Sequence, residues 1–92
     1  MSYYYQSKFI VTHHALVRFK QRVKGFKEES DLIAEAKLKE ILDRKDWEFT
    51  DAYYYYYPLG KDGNKRIYAL VTKTNYLVVT IKPMSPEKRI YY

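Results

Sequence analysis

The hydrophobic positions in the first half of the chain recur every three or four residues, which is the period of a helix facing a core. Two helices are predicted in this way, over residues 12–23 and 31–44. Thr12 and Ser30 stand at their starts and are residue types that cap helices. The positions expected to face the core are Leu16, Phe19 and Val23 in the first helix and Ala34, Leu38, Ile41 and Leu42 in the second.

From residue 47 onward the pattern changes to the alternation that is typical of β-strands. The strands predicted from it cover residues 47–57, 66–72 and 76–82, joined by a hairpin loop at 58–64 and a tight turn at 73–75. An Asp-Gly pair in the loop favours the hairpin, and prolines after residue 82 are expected to end the third strand. A short β-prone run at residues 8–11 leads into the first helix.

These elements predict one α+β domain over residues 1–92, with two N-terminal helices packed on a three- to four-stranded antiparallel sheet. Residues 1–8 form an N-terminal arm in this prediction, and residues 83–92 form a C-terminal tail. Part of the tail, residues 87–92, is expected to add a short edge strand. A chain of 92 residues is long enough for one modest core and too short for two.

The net charge of +6 is unevenly spread. Residues 1–30 carry six basic and two acidic side chains, residues 31–60 four and seven, and residues 61–92 seven and two. If the two ends meet in the fold, they form a basic surface backed by an acidic element. Such a surface favours a polyanionic partner, RNA or DNA.

The composition also bears on location and on the classes of chemistry. The chain has no cysteine, which removes thiolate catalysis and cysteine zinc sites and suits the cytosol. It has no run of 18 apolar residues and no secretory signal pattern at its start, so we expect a cytoplasmic protein without a membrane partner. Adjacent histidines His13 and His14 point about 100° apart on a helix and do not readily share a metal, so we expect no metal or cofactor.

A stripe of titratable and basic residues runs along the first predicted helix. His14, Arg18 and Arg22 are four residues apart and therefore lie in line on one face. Such groups can hold a phosphate and move a proton beside it, because histidine titrates near neutral pH and arginine stabilises negative charge. The alternative is an ordinary solvated helix face, since basic residues are usually at surfaces.

Tyrosine is unusually frequent, with twelve in the chain and five in a row at residues 53–57. In a strand, Tyr54 and Tyr56 point to one side and the odd-numbered tyrosines to the other, so one set can enter the core. For the outward pair, Tyr54 and Tyr56, three roles stay open. The first is a structural role in the strand, with the hydroxyl exposed to water. The second is a protein–protein interface, and the third is stacking on nucleic-acid bases.

The motif His14-Ala15-x-x-Arg18-x-x-x-Arg22, with a glycine turn, a second helix and the strand Val78-Val79-Thr80-Ile81, resembles a family of small bacterial and phage proteins. Their first helix carries H-A-x-x-R-x-x-x-R and their last main strand reads like V-V-T-V. This family looks related to the RelE-type toxins within the group of barnase, colicin and RelE-like metal-free ribonucleases. The match covers residues 9–82. It implies a RelE-like fold with a substrate cleft between the first helix and the sheet. It would also place His14, Arg18 and Arg22 near Thr80.

The leading expectation is therefore an RNA-directed protein that acts as a metal-independent endoribonuclease of toxin type, on free or ribosome-bound RNA. His14 would be general acid or base, Arg18 and Arg22 would hold the phosphate, and Thr80 and Lys82 would line the cleft from the sheet. The expected nucleic-acid contacts are Lys20, Lys24, Arg66 and Lys82. Two alternatives stay open: a nucleic-acid-binding protein without catalysis, and a protein-binding module, such as an inhibitor of a host protein, that uses the tyrosine strand. A protein partner or antidote is expected with either toxin or inhibitor.

Overall fold

The computed structural model describes residues 7–84. Its elements in chain order are β1 (Ile10–Val11), α1 (His13–Arg22), α2 (Asp31–Asp43), β2 (Phe49–Thr50), β3 (Tyr54–Asp62), β4 (Lys65–Thr72) and β5 (Leu77–Met84). The predicted α+β class is confirmed. The expected edge strand at residues 87–92 and most of the predicted N-terminal arm lie outside the described residues.

The sheet differs from the predicted one in size and in strand direction. It has five strands in the order β1-β5-β4-β3-β2 rather than three or four. Neighbours are antiparallel except at one edge, where β1 runs parallel to β5. The parallel pair arises because α1 and α2 lie between the first strand and the meander, so that the chain enters the sheet beside its last strand.

Both predicted helices are confirmed, with the predicted caps. The hydroxyl oxygen of Thr12 accepts the backbone N–H of Ala15 at 3.1 Å, and that of Ser30 accepts the N–H of Ile33 at 3.3 Å. The Thr12 hydroxyl also donates to the carbonyl of Val78 at 3.0 Å. One side chain therefore caps α1 and ties its first turn to β5, which fixes where the helix lies over the sheet.

The predicted long strand over residues 47–57 is wrong, because the chain turns back within it. β2 and β3 form a hairpin in which Phe49 lies opposite Tyr56. The turn between them is held by Asp51, whose Oδ1 accepts the N–H groups of Tyr53 and Tyr54, each at 2.9 Å. An aspartate that binds the backbone two and three residues ahead makes a turn locally favourable. The turn was not predicted, because the high β propensity of the tyrosines favoured one continuous strand.

The predicted loop at 58–64 is also wrong, since β3 continues through Pro58 to Asp62. The strand pairing with β4 is irregular between Pro58 and Gly60, and the register shifts there. Such an irregularity lets a strand contain a proline. The reversal is confined to Gly63 and Asn64. β5 likewise extends past its predicted end to Met84.

The two faces of the sheet carry separate apolar clusters. The face toward the helices, called the helix face here, holds the main core: Phe9, Ala15, Leu16, Phe19, Ala34, Leu38, Leu42, Tyr57, Ile67, Ala69, Val71, Val78 and Ile81. The opposite face, called the outer face, holds a smaller cluster of Tyr56, Tyr68 and Leu70 with Phe49, Tyr54, Val79 and Met84 beside it. Tyrosines therefore alternate between the two faces along β3, as predicted.

Candidate phosphate-binding cavity

A cavity of about 440 Å³ lies between the end of α1 and the tip of the β3–β4 hairpin. Its described lining residues are Lys20, Gln21, Arg22, Val23, Lys24, Gly25, Lys27, Lys61, Asp62 and Gly63. Five of these ten residues are basic and one is acidic. Such a concentration of positive charge around a concave space favours the binding of anions.

Two chain reversals place the lining residues opposite one another. α1 ends at Arg22, and the N–H of Val23 still bonds to the carbonyl of Phe19 at 3.0 Å. The chain then turns at Gly25, whose φ of +95° lies in the region that favours glycine. Gly63, at φ +66°, makes the facing hairpin turn. Each reversal exposes short, charged segments, which is why the walls of the cavity are polar.

Arg22 is half-buried at the last position of α1. Its Nε atom is buried and has no hydrogen-bond partner among the described residues. An unpaired guanidinium donor is costly to bury, and guanidinium groups bind phosphate oxygens in a forked geometry. Arg22 therefore lines a cavity that attracts anions, and its Nε has no acceptor among the described residues.

Among the cations that line the cavity, Lys20 has a close acidic partner in the described part of the chain. Its Nζ lies 2.8 Å from Oδ1 of Asp31, the first residue of α2. The hydrogen bond and charge of Lys20 hold the pKa of Asp31 below its usual value. This pair joins the two helices beside the cavity and leaves Lys20 less available to a ligand.

The predicted stripe is present along α1, but it does not converge on the cavity. His14 is exposed in the first turn of the helix, eight positions from Arg22 and hence about 12 Å along the axis. Arg18 is half-buried and donates from Nη1 to Oε1 of Gln21 at 3.3 Å. Of the three predicted catalytic residues on α1, the cavity includes only Arg22.

The predicted cleft residues on β5 lie on the outer face of the sheet. Thr80 is paired with Leu70 and Lys82 with Tyr68, and both partners belong to the outer-face cluster. Paired residues on adjacent strands share a face, so Thr80 and Lys82 point away from α1. The sequence did not reveal the irregularity next to Val71 that sets this register.

The other predicted contacts are divided between the cavity and the outer face. Lys20 and Lys24 line the cavity, as noted. Arg66 is exposed on β4, where its Nη1 lies 3.6 Å from Oε1 of Glu48. Arg66 is also the cross-strand partner of the cavity residue Lys61, whereas Lys82 lies on the outer face.

The predicted interface pair is less accessible than expected. Tyr54 and Tyr56 do point outward, but Tyr56 is only 8% exposed. Its ring stacks on Phe49 with centroids 4.5 Å apart. Phe49 belongs to the edge strand β2, which the prediction of one long strand had not allowed for.

Two lining residues, Lys27 and Lys61, were missed as site residues. Lys27 follows Gly25 in the connection between the helices, and Lys61 precedes the Asp-Gly pair of the hairpin. The signal that could have found them is their position next to two turn glycines in the basic ends of the chain. What the sequence did not show is that these two turns face each other.

Comparisons with known protein families, with curated proteins and with solved structures find no match to this chain. The resemblance to RelE-type proteins accordingly rests on the motif residues themselves. Within residues 7–84, no three histidine, aspartate or glutamate side chains are grouped so that they could hold a metal ion. Neither of the two helices in this range is long and apolar enough to cross a membrane.

Proposed function

We propose that this protein binds RNA by holding phosphate groups in the basic cavity between α1 and the β3–β4 hairpin. The observation that carries the proposal is the lining of that cavity, with five basic residues around about 440 Å³ and one acidic residue among them. Binding of phosphates by lysine and arginine releases condensed counterions from the nucleic acid, which supplies most of its sequence-independent affinity.

An exposed aromatic ring supports a single-stranded ligand. Trp47 is 44% exposed and stacks on Tyr55 with centroids 5.3 Å apart and planes 24° apart. Tyr55 in turn stacks on Tyr76, at 6.0 Å and 20°. A partly exposed aromatic ring can stack on an unpaired base, which duplexes do not present.

Catalysis is not needed for this function and is not supported by the cavity. A general acid or base must come within hydrogen-bond reach of the proton that it transfers. His14 is about 12 Å along α1 from Arg22 and outside the lining of the cavity. The endoribonuclease activity expected from the resemblance therefore remains a separate proposal, which His14 and Arg18 would have to support away from the cavity.

The protein-inhibitor alternative loses part of its basis. It relied on an outward-facing pair of tyrosines, and Tyr56 is buried against Phe49 and bound to Asp51. The more exposed tyrosine is Tyr53, at 75%, which lies in the turn before β3. A single exposed ring in a turn makes a smaller contact than the tyrosine strand that this alternative required.

The proposal is tested by removing charge from the cavity without changing the fold. We expect the double variant Lys24→Gln/Lys27→Gln to bind a labelled single-stranded RNA at least about tenfold more weakly than the wild type, because each lysine contributes a phosphate contact. The matched control is Lys37→Gln/Lys45→Gln, which removes the same charge from exposed positions outside the cavity. Equal losses in the two double variants would show a general charge effect and contradict a site at the cavity.

A further inference from the structure

We infer that the cavity receives a phosphomonoester, the phosphorylated end of an RNA strand, in preference to a phosphodiester within the strand. This inference rests on the proposed function and specifies which phosphate occupies the site. Three features of the cavity support it: its net charge, its concave form and the unpaired donor of Arg22.

The charge of the cavity exceeds what one diester needs. Lys20 is paired with Asp31, and Asp62 offsets one of the remaining four cations. Three positive charges are left for the ligand. A phosphodiester carries one negative charge, whereas a phosphomonoester carries about −1.5 to −2 at neutral pH and offers three oxygens without an ester link. The doubly charged group matches the cavity better.

The form of the cavity also favours a chain end. A space of about 440 Å³ is within the range of pockets that enclose small ligands, roughly 300–1,000 Å³. It is bounded on one side by the segment from Lys20 to Lys27 and on the other by the hairpin tip at Lys61 to Gly63. A phosphate within a strand brings nucleotides on both sides, whereas a terminal phosphate brings a chain on one side and fits between two facing walls.

Arg22 supplies the directional contact. A guanidinium binds a phosphate most strongly when Nε and one Nη donate to two oxygens at once. The Nε of Arg22 is buried and has no acceptor among the described residues, so the guanidinium has to turn toward the cavity for this fork to form as the phosphate enters. A terminal phosphate has two equivalent free oxygens for the fork and a third for a lysine on the facing wall.

The experiment compares RNAs that differ only at their ends. One single-stranded sequence, labelled at an internal base, is prepared with a 5′-phosphate, with a 3′-phosphate, with hydroxyls at both ends, and as a closed circle. We expect one of the phosphate-ended RNAs to bind about tenfold more tightly than the hydroxyl-ended and circular forms, since it brings an additional charge into the cavity. The preferred end identifies which terminus is held.

The variant Arg22→Gln is expected to remove this preference. Arg44→Gln is the matched control, because Arg44 is an exposed arginine beyond the end of α2 and outside the cavity. It is expected to keep the preference. If all four wild-type RNA forms bind equally, the inference is overturned while RNA binding itself stands.

A final titration separates the inference from the proposed function. Adenosine 5′-monophosphate and adenosine are added in turn, and the amide resonances of Gly25 and Gly63 are followed by NMR. Shifts with the monophosphate alone support a phosphomonoester site even if no RNA binds, in which case only the proposed function fails. No shift with the monophosphate rejects the inference, as does equal binding of the four RNA forms.

Discussion

The hydroxyl of Tyr56 donates to Oδ2 of Asp51 at 2.7 Å, across the turn that separates β2 from β3. The same carboxylate accepts the backbone N–H groups of Tyr53 and Tyr54 through its other oxygen. Three donors therefore converge on one aspartate. This arrangement explains why the chain reverses inside a run of residues with high strand propensity, and it anchors the outer-face cluster to the turn.

The first prediction concerns this carboxylate. Burial acts to raise the pKa of Asp51, but the hydrogen bonds from Tyr56, Tyr53 and Tyr54 outweigh it and hold the pKa below the usual value. We expect Asp51→Ala to lower the free energy of unfolding by about 1–2 kcal/mol, a modest value because Asp51 is exposed to solvent. Urea denaturation at neutral pH measures the loss.

The pH dependence of the stability lost in Asp51→Ala tests whether the carboxylate acts in its ionised form. Because the pKa of Asp51 is lower in the folded state, its contribution is fully present above the unfolded value, about 3.9. The contribution disappears as the pH falls through the folded pKa. The stability difference between wild type and Asp51→Ala should therefore shrink below about pH 4. A difference that is constant from pH 7 to pH 3 would contradict an ionised acceptor.

The second prediction concerns the link between α1 and β5. Thr12→Ala removes the cap to the N–H of Ala15 and the donation to the carbonyl of Val78. We expect it to cost about 1–2 kcal/mol in the free energy of unfolding. Thr12→Ser is the matched control and should retain most of the stability, since serine keeps the hydroxyl. Equal effects of the two substitutions would mean that the methyl group, not the hydroxyl, is what matters.

The third prediction concerns the tyrosine strand. Tyr56→Ser is expected to destabilise the fold by about 3 kcal/mol, because it removes a buried ring that stacks on Phe49 and leaves space in the outer-face cluster. Tyr53→Ser, at an exposed turn position, is expected to change stability by less than about 0.5 kcal/mol. Thermal unfolding followed by circular dichroism compares them. A stable Tyr56→Ser protein with altered mass in light scattering would instead favour an association surface.

The fourth prediction concerns His14. It lies outside the cavity, so His14→Ala is expected to leave RNA affinity within about twofold of wild type, a change under 0.5 kcal/mol. A tenfold loss would place His14 in the binding site and contradict this account. The same variant tests the role implied by the resemblance, because general acid–base catalysis by His14 requires RNA cleavage to fall by about 10²–10⁴-fold. A denaturing gel measures the extent of RNA cleavage by the wild type and by the variant.

The sequence predicted the parts of the fold that depend on local patterns. Thr12 and Ser30 are caps with characteristic neighbours, and the helical period of Leu16, Phe19 and Leu38 marks the face that packs on the sheet. These features are encoded within a few residues of one another. They could be read without knowing what the elements pack against.

The parts that it did not predict depend on competition between local signals or on contacts between distant segments. At residues 51–57, the turn made by Asp51 outweighs the strand propensity of five tyrosines. An irregularity in β5 decides that Thr80 faces away from α1. The cavity exists only because the turns at Gly25 and Gly63 come together in space, although they are 38 positions apart.

Binding of RNA phosphates by the cavity should make the affinity depend steeply on salt concentration. For single-stranded nucleic acid the slope of log K against log salt concentration is about −0.7 per phosphate contacted. We expect a steep slope for the wild type, a slope shallower by about 1.4 for Lys24→Gln/Lys27→Gln, and an unchanged slope for Lys37→Gln/Lys45→Gln. A wild-type response that is flat, or the same slope in both double variants, would contradict phosphate binding by the cavity.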